Sequence, residues 1–280
     1  MILQTINLTH TYSAKTPFEK TAIKNVNIEV EKGAFVGIIG HTGSGKSTLM
    51  QHFNGLLKPT AGRVLFNGAD IWAKPKEIKA IRNKIGMVFQ YPENQLFEET
   101  VYKDIAYGPK NMGLSKVEIN ERVIKTAKFI GISEDMLEKS PFELSGGEKR
   151  KVAIAGVIAM EPEILILDEP TAGLDPHGRD EVLNYIKNYR ESYKKTVILV
   201  THSMDDIVKY AEKIYVMSNA GFLTSGTIAE VFSNAEKLID NGLDIPEITK
   251  LFIRLNEIGI DVNKNIFTIE DAINELCLKI

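Results

Sequence analysis

The chain has 280 residues, of which 44% are hydrophobic and 25% charged, and a net charge of −3 at pH 7. These are ordinary globular values, which exclude a disordered or fibrous chain, and the length fits one large α/β domain with a small appendage or two modest domains. The slightly acidic balance argues against nucleic acid as the main partner, because phosphate backbones recruit basic faces.

Basic clusters are short, and Lys149-Arg150-Lys151 reads as a solvated helix face. A lone cysteine, Cys277, excludes an internal disulfide and a cysteine-ligated zinc, and fits a reducing, cytoplasmic compartment. No run approaches the ~18–20 apolar residues of a membrane span. The opening Met1-Ile2-Leu3-Gln4-Thr5-Ile6 lacks the pattern of a secretory leader.

In chain order, Ile2, Gln4, Ile6 and Leu8, then Val26, Ile28 and Val30, alternate as strands do. Ala34-Phe35-Val36-Gly37-Ile38-Ile39 is a continuous apolar run, predicting a strand buried on both faces. A glycine-rich stretch then leads into a helix start at Lys46. Asn67-Gly68 between Gly62–Phe66 and Ile71-Trp72 predicts a hairpin. After a strand at Ile85–Phe89 the period changes, and Val117, Ile119, Val123, Ile124, Ala127 and Ile130 recur at helical spacing. Ile164–Leu167 and Val197–Val200 predict buried strands, and Ile214–Met217 an outer one. Such alternation implies a parallel sheet with helices on both faces. The tail reads as two amphipathic helices. One carries Ile245, Ile248, Leu251, Phe252, Leu255 and Ile258; the other is capped by Thr268 and carries Ile269, Ala272, Ile273, Leu276 and Ile280. The expected division is a domain over 1–234, with a helical part at about 91–160, and a helical appendage over 235–280.

Gly40-His41-Thr42-Gly43-Ser44-Gly45-Lys46-Ser47 fits G-x-x-x-x-G-K-[ST] at every fixed position, between a predicted strand and a predicted helix. Glycines let the backbone wrap a polyphosphate with N–H groups pointing inward. The following helix, through Thr48, adds its positive end. Lys46 is suited to the β- and γ-phosphates and the Ser47 hydroxyl to Mg²⁺. Alone, this motif is shared by kinases, GTPases and motor ATPases.

Ile164-Leu165-Ile166-Leu167-Asp168-Glu169 sets two carboxylates at the end of a buried strand. Asp168 is suited to hold Mg²⁺ and Glu169 to polarise an attacking water, which favours hydrolysis over transfer. Between these motifs, Leu144-Ser145-Gly146-Gly147-Glu148 opens a helical stretch, and a serine with two glycines at a helix N-terminus makes an anion site.

With these motifs in this order, the chain resembles the ATP-binding cassette (ABC) ATPases over residues 1 to about 220. The resemblance implies a P-loop fold of the RecA type with an antiparallel β subdomain and a helical subdomain. It implies Gln90 as the glutamine-loop residue, sensing γ-phosphate and Mg²⁺, and His202 as the switch histidine. It implies Tyr12 as the aromatic on adenine and Asp175, in Ala172-Gly173-Leu174-Asp175, as a residue at a dimer interface. It also implies a head-to-tail dimer in which ATP lies between the P-loop of one cassette and Ser145-Gly146-Gly147 of the other. Two anion-binding elements in one chain then make sense, because one site needs only one of them.

Three features narrow the resemblance to the ATPase subunits of energy-coupling factor (ECF) transporters. They are Tyr91-Pro92-Glu93-Asn94-Gln95-Leu96-Phe97 with Thr100-Val101 and Asp104–Pro109, Glu148 in place of the usual glutamine, and the tail with Ile245-Pro246-Glu247-Ile248. Gly173 also departs from the commonest ABC residue and agrees with this branch. The long segment from Tyr12 to Ala22 is similar to that of the second of the two A subunits. This implies a heterodimer with a sister A subunit, a membrane T subunit docking near Leu96 and Phe97, and a substrate-capturing S subunit. A peripheral position on the cytoplasmic face and uptake of a vitamin or transition-metal ion would follow. Other ABC transporters, or a soluble ABC ATPase acting on DNA or ribosomes, are the alternatives; the latter carry coiled coils, zinc modules or a second cassette.

Overall fold

The computed structural model describes residues 1–277. Its strands are β1 (Leu3–Tyr12), β2 (Lys20–Val26), β3 (Glu29–Val30), β4 (Phe35–Gly40), β5 (Ala61–Phe66), β6 (Ala69–Asp70), β7 (Ile85–Val88), β8 (Ile164–Asp168), β9 (Thr196–Val200), β10 (Lys213–Ser218) and β11 (Gly221–Gly226). Its helices are α1 (Lys46–Phe53), α2 (Ile78–Lys84), α3 (Val101–Asn111), α4 (Lys116–Ile130), α5 (Glu134–Leu137), α6 (Gly146–Ile158), α7 (Pro176–Tyr193), α8 (Met204–Tyr210), α9 (Ile228–Phe232), α10 (Ala235–Asp240), α11 (Glu247–Glu257) and α12 (Ile269–Cys277).

Two sheets organise these elements. One is antiparallel, ordered β2-β1-β5-β6, with β3 also on β1. The other runs β11-β10-β4-β9-β8-β7, parallel from β10 to β7. The side-chain period of two splits the parallel strands between two cores. Leu165, Leu167, Val197 and Leu199 face a core built with α3, α4, α6 and α7. Ile164, Ile166, Ile198 and Val200 face a core shared with α1 and the antiparallel sheet. Continuous apolar runs at β4, β8 and β9 are thus needed on both sides. The expected helices on both faces are present, with the antiparallel sheet added beside α1 and α2 on one of them.

Several local readings need correcting. β10 is not the outer strand, because β11 returns antiparallel along its free edge. Val117 and Ile124 are exposed, and α4 packs instead through Val123, Thr126, Ala127 and Ile130. The hairpin at Asn67-Gly68 forms with both residues at positive φ, but only Ala69 and Asp70 pair after it. Arg150 is 2% exposed, so the basic run is not a solvated face.

In the tail, Thr268 caps α12, its hydroxyl accepting the Asp271 N–H at 3.1 Å. Phe252, Val262, Ile266 and Ala272 make a small core of their own, with Ile248 and Leu255 against it. Leu251, Ile258, Ile269 and Ile273 are exposed rather than buried. Ile280 lies outside the described residues.

Candidate functional site

The turn after β4 wraps because its glycines allow it. Gly45 sits at φ +107, and a Cβ there would lie 2.4 Å from the Ala22 carbonyl oxygen, so any side chain would push β2 away. Lys46 Nζ reaches back along the loop, donating to the carbonyls of Gly40 at 2.6 Å and His41 at 3.0 Å. The loop is therefore curled around its own lysine, which is also the first residue of α1. His41 Nδ1 lies 2.9 Å from the Thr42 carbonyl oxygen, bracing the exposed bend. Ser44 is buried beneath it.

A cleft of about 780 Å³ opens over this loop. Its lining includes Tyr12, the loop residues Gly40 to Gly43 and Gly45 to Thr48, and Gln90, Asp168, Glu169 and His202. Residues from four separate strand ends are gathered there by the parallel order of β7, β8, β9 and β4, which brings their C-terminal ends to one edge. Ser47 Oγ donates to Asp168 Oδ2 at 3.3 Å. Gln90 Nε2 donates to Glu169 Oε2 at 3.0 Å, and His202 Nδ1 lies 3.3 Å from Glu169 Oε1. Glu169 itself sits at φ +47, a left-handed backbone that turns its carboxylate out of the strand line.

The electrostatics follow from burial. Desolvation lowers the pKa of Lys46, opposed by the nearby charges of Glu169 and Asp168. Asp168 is pushed up by desolvation and by Glu169, against its bond from Ser47 and the charge of Lys46. Two carboxylates side by side, one desolvated, with a hydroxyl and an amide at hand, form an all-oxygen set suited to a small hard divalent cation. The chemistry of these donors therefore fits Mg²⁺, with the remaining positions left to water and phosphate.

On the base side, Tyr12 Oη is 3.2 Å from Thr48 Oγ1, and its ring meets the His10 ring edge-on at 4.5 Å. His10 and His52 are buried behind it, His52 Nε2 lying 3.2 Å from His10 Nδ1. Lys20, Thr21 and Ala22 also line the cleft. Sequence reasoning did not single them out, because only the β1–β2 register, Tyr12 opposite Lys20, brings them there.

Ser145, Gly146, Gly147, Glu148 and Asp175 do not line this cleft. Ser145 caps α6 in a reciprocal box: its Oγ accepts the Glu148 N–H at 3.4 Å and donates to Glu148 Oε2 at 2.7 Å, and its own N–H donates to Glu148 Oε2 at 2.8 Å. Those bonds from Ser145 lower the pKa of Glu148. Around Gly146 and Gly147 an added Cβ would meet nothing within 4 Å, so the start of α6 is open to an incoming group. Asp175 caps α7, accepting the Gly178 N–H at 2.7 Å. These residues thus lie outside the cleft that holds the phosphate loop.

Sequence reasoning also missed the partners of the buried Arg150, whose guanidinium holds Glu93 and the Pro170 and Ala172 carbonyls. No local pattern signals this, because Glu93 lies 57 residues away.

A protein-family model described as "ABC transporter" matches residues 23–172. The energy-coupling factor transporter ATP-binding protein EcfA2 of Clostridium acetobutylicum is 56% identical over 271 residues, covering 96% of this chain and 95% of that protein. Among solved structures, cbiO1 of Clostridium perfringens, described as part of the ABC transporter complex cbiONQ, superposes with a TM-score of 0.76 at 40% identity, over 92% of this chain and 97% of that one. The dimeric ATP-binding cassette MJ0796 bound to ADP and Pi has a TM-score of 0.72 at 30% identity, over 80% of this chain and 98% of that one. With the phosphate loop, the paired carboxylates and the capped serine-glycine helix all in place, the chain belongs to the ABC ATPases, as an ATP-binding and ATP-hydrolysing subunit of the ECF transporter branch.

Proposed function

We propose that the cleft binds ATP with Mg²⁺ and hydrolyses it only after a second cassette closes over it. One observation carries this reading. The 780 Å³ cleft contains the phosphate loop, Asp168, Glu169, Gln90 and His202, but none of the residues from Ser145 to Glu148. The chain thus has half of each of two sites. The MJ0796 relative is dimeric with ADP and Pi, which supports the same arrangement.

In this reading Tyr12 stacks on adenine, and the loop N–H groups of residues 40–48 and Lys46 hold the phosphates. Ser47, Asp168 and the Gln90 amide oxygen would hold Mg²⁺, which supplies charge neutralisation at the β- and γ-phosphates. Glu169 accepts a hydrogen bond from the attacking water and so polarises it. Gln90 and His202, both within 3.3 Å of its carboxylate, fix its direction. Ser145, Gly146 and Gly147 serve the γ-phosphate of the partner's ATP, and Asp175 lies across the dimer. Glu148 holds the Ser145 hydroxyl and N–H in the isolated chain, so the Ser145 hydroxyl turns away from Glu148 to meet the partner's phosphate.

The partner that fits best is a sister A subunit, on the strength of the long Tyr12-to-Ala22 segment and the kinship with EcfA2. A membrane T subunit would dock by the surface that follows Gln90. There Phe97 is 57% exposed, edge-on to Tyr107 at 4.9 Å, whereas Leu96 packs partly against the core. No helix among the described residues is long and apolar enough to cross a membrane. On its kinship with EcfA2 we assign the chain to the cytoplasmic face as a peripheral subunit, energising micronutrient uptake through T and S subunits. The cassette would occupy 1–234 and the helical appendage 235–280. Purification from native membranes tests all of this: a T subunit and a second ATPase should accompany the chain. Recovery with a periplasmic-binding-protein importer, or with ribosomes or DNA at physiological salt, would refute it.

A further inference from the structure

The loops that must report on ATP are tied together by one buried side chain. Arg150 lies one turn into α6, the helix opened by Ser145, and is 2% exposed. Its Nε donates to Glu93 Oε2 at 2.9 Å and its Nη2 to Glu93 Oε1 at 2.5 Å, a two-point fork. Its Nη1 donates to the Ala172 carbonyl at 2.6 Å and the Pro170 carbonyl at 3.2 Å. Its guanidinium carbon lies 5.9 Å from the centre of the Tyr91 ring.

Each of these partners belongs to a segment with an end in the ATP cleft. Tyr91 and Glu93 directly follow Gln90. Pro170 and Ala172 directly follow Glu169. Gln90 and Glu169 are themselves joined at 3.0 Å. The loop is closed: α6 to Glu93, back to Gln90, across to Glu169, on to Ala172, and back to α6. Tyr91, at φ +53, and Glu169, at φ +47, are the left-handed residues at which two of these segments leave their strands. Burial by itself raises the pKa of Glu93, and its bonds from Arg150 outweigh that and bring it below the ordinary value.

We propose that Arg150 is a positioning residue that makes the face presented to the partner's nucleotide and the water-polarising pair Gln90–Glu169 move as one unit. The inference rests on the reading that Ser145 to Gly147 bind the partner's ATP. A small displacement of α6, as the partner's ATP is engaged, is passed through a rigid planar fork to both sides of Glu169. A lysine could not do this, since a point charge on a flexible stem cannot hold a carboxylate and two carbonyls in one plane.

The test uses the full chain and its assembled complex. Arg150→Lys should lower kcat by about 10- to 100-fold, as expected for a misplaced reacting group, and lower the Hill coefficient for ATP towards one. Its affinity for ATP in the isolated chain should be unchanged. The double variant Arg150→Met with Glu93→Leu replaces the buried pair by apolar side chains and keeps the core filled. It should be more stable than Arg150→Met alone, falling short of the native Tm only because the Pro170 and Ala172 carbonyls lose their donor, yet retain the low kcat and the lost cooperativity. If turnover and cooperativity return together with stability in the double variant, Arg150 only holds the fold and the proposal is overturned. Native kinetics in Arg150→Lys would overturn it equally. Ser145→Arg, measured alongside, separates the two readings. If it leaves ATP-driven dimerisation intact, the partner-site reading fails. If it abolishes dimerisation while Arg150→Lys behaves as native, only the relay is wrong.

Discussion

Replacing Glu169 by glutamine removes a proton acceptor while leaving almost everything else. The side-chain volume is retained, and an amide oxygen can still accept from Gln90 Nε2, now 3.0 Å from Oε2. His202 Nδ1, 3.3 Å from Oε1, keeps a partner as well. What is lost is the basicity that polarises water and one of the two negative charges acting on Lys46. Loss of a positioned general base lowers rates by about 10²–10⁴-fold. At ~1.4 kcal/mol per factor of ten, that is about 3–5 kcal/mol of activation free energy. ATP binding should persist or tighten, because a carboxylate beside the γ-phosphate is gone, and ATP-bound dimers should accumulate. The assays are phosphate release under saturating ATP, equilibrium binding of a fluorescent nucleotide, and sedimentation with and without ATP. Turnover within about twofold of the native chain, under ~0.5 kcal/mol, would remove Glu169 from the water-polarising role. If ATP binding collapsed in parallel, the residue would instead be holding the cleft together.

Three further outcomes are expected. Ser145→Arg loses a helix cap, costing about 1 kcal/mol of stability, and should still bind ATP as an isolated chain while no longer dimerising with it in sedimentation. Normal ATP-driven dimers would remove the cross-dimer role. Tyr12→Ala should weaken ATP binding by roughly 5- to 150-fold, the range for losing one base–aromatic stack of about 1–3 kcal/mol, and an unchanged nucleotide titration would exclude stacking. His52 titrates at about 4 instead of 6.5, first because it is desolvated and then because His10 lies beside it, partly offset by its bond to the Thr48 carbonyl. Between those values the unfolded chain binds the extra proton, so this contribution is fully present above pH 6.5 and is lost as pH falls towards 4. The slope is at most about 1.4 kcal/mol per pH unit for one proton. Calorimetric Tm values from pH 7 to 4.5 should fall more steeply for the native chain than for His52→Gln; equal slopes would refute the assignment.

The chemistry of the nucleotide site is written locally, and for that reason it is readable. A phosphate loop needs its glycines, lysine and serine within one turn, because backbone wrap and the helix N-terminus are short-range features. Gly45, whose φ of +107 and 2.4 Å approach to Ala22 admit no side chain, is the physical basis of one fixed letter of that motif. The buried strands were equally legible, since Ile164–Leu167 must feed two cores at once. Caps at Ser145 and Thr268 follow from neighbours three residues on.

What the chain order leaves open is every relation between distant segments. Lys20, Thr21 and Ala22 enter the cleft through strand register alone. The strand at Ile214–Met217 is covered by β11 because a hairpin can return along its free edge, a choice that its own pattern does not make. Arg150 looked like one letter of a basic run, and Leu251 and Ile258 looked like core. Periodicity says which residues share a face but not whether another element covers it. A charge is buried only if the fold brings it a partner: Glu93, 57 residues away, together with two carbonyls, meets most of the Arg150 guanidinium's hydrogen-bonding demand. Sequence determined the reagents and the strand that carries them; the tertiary structure decided which carboxylate meets which cation, because desolvation and pairing depend on distances that only the packed chain sets.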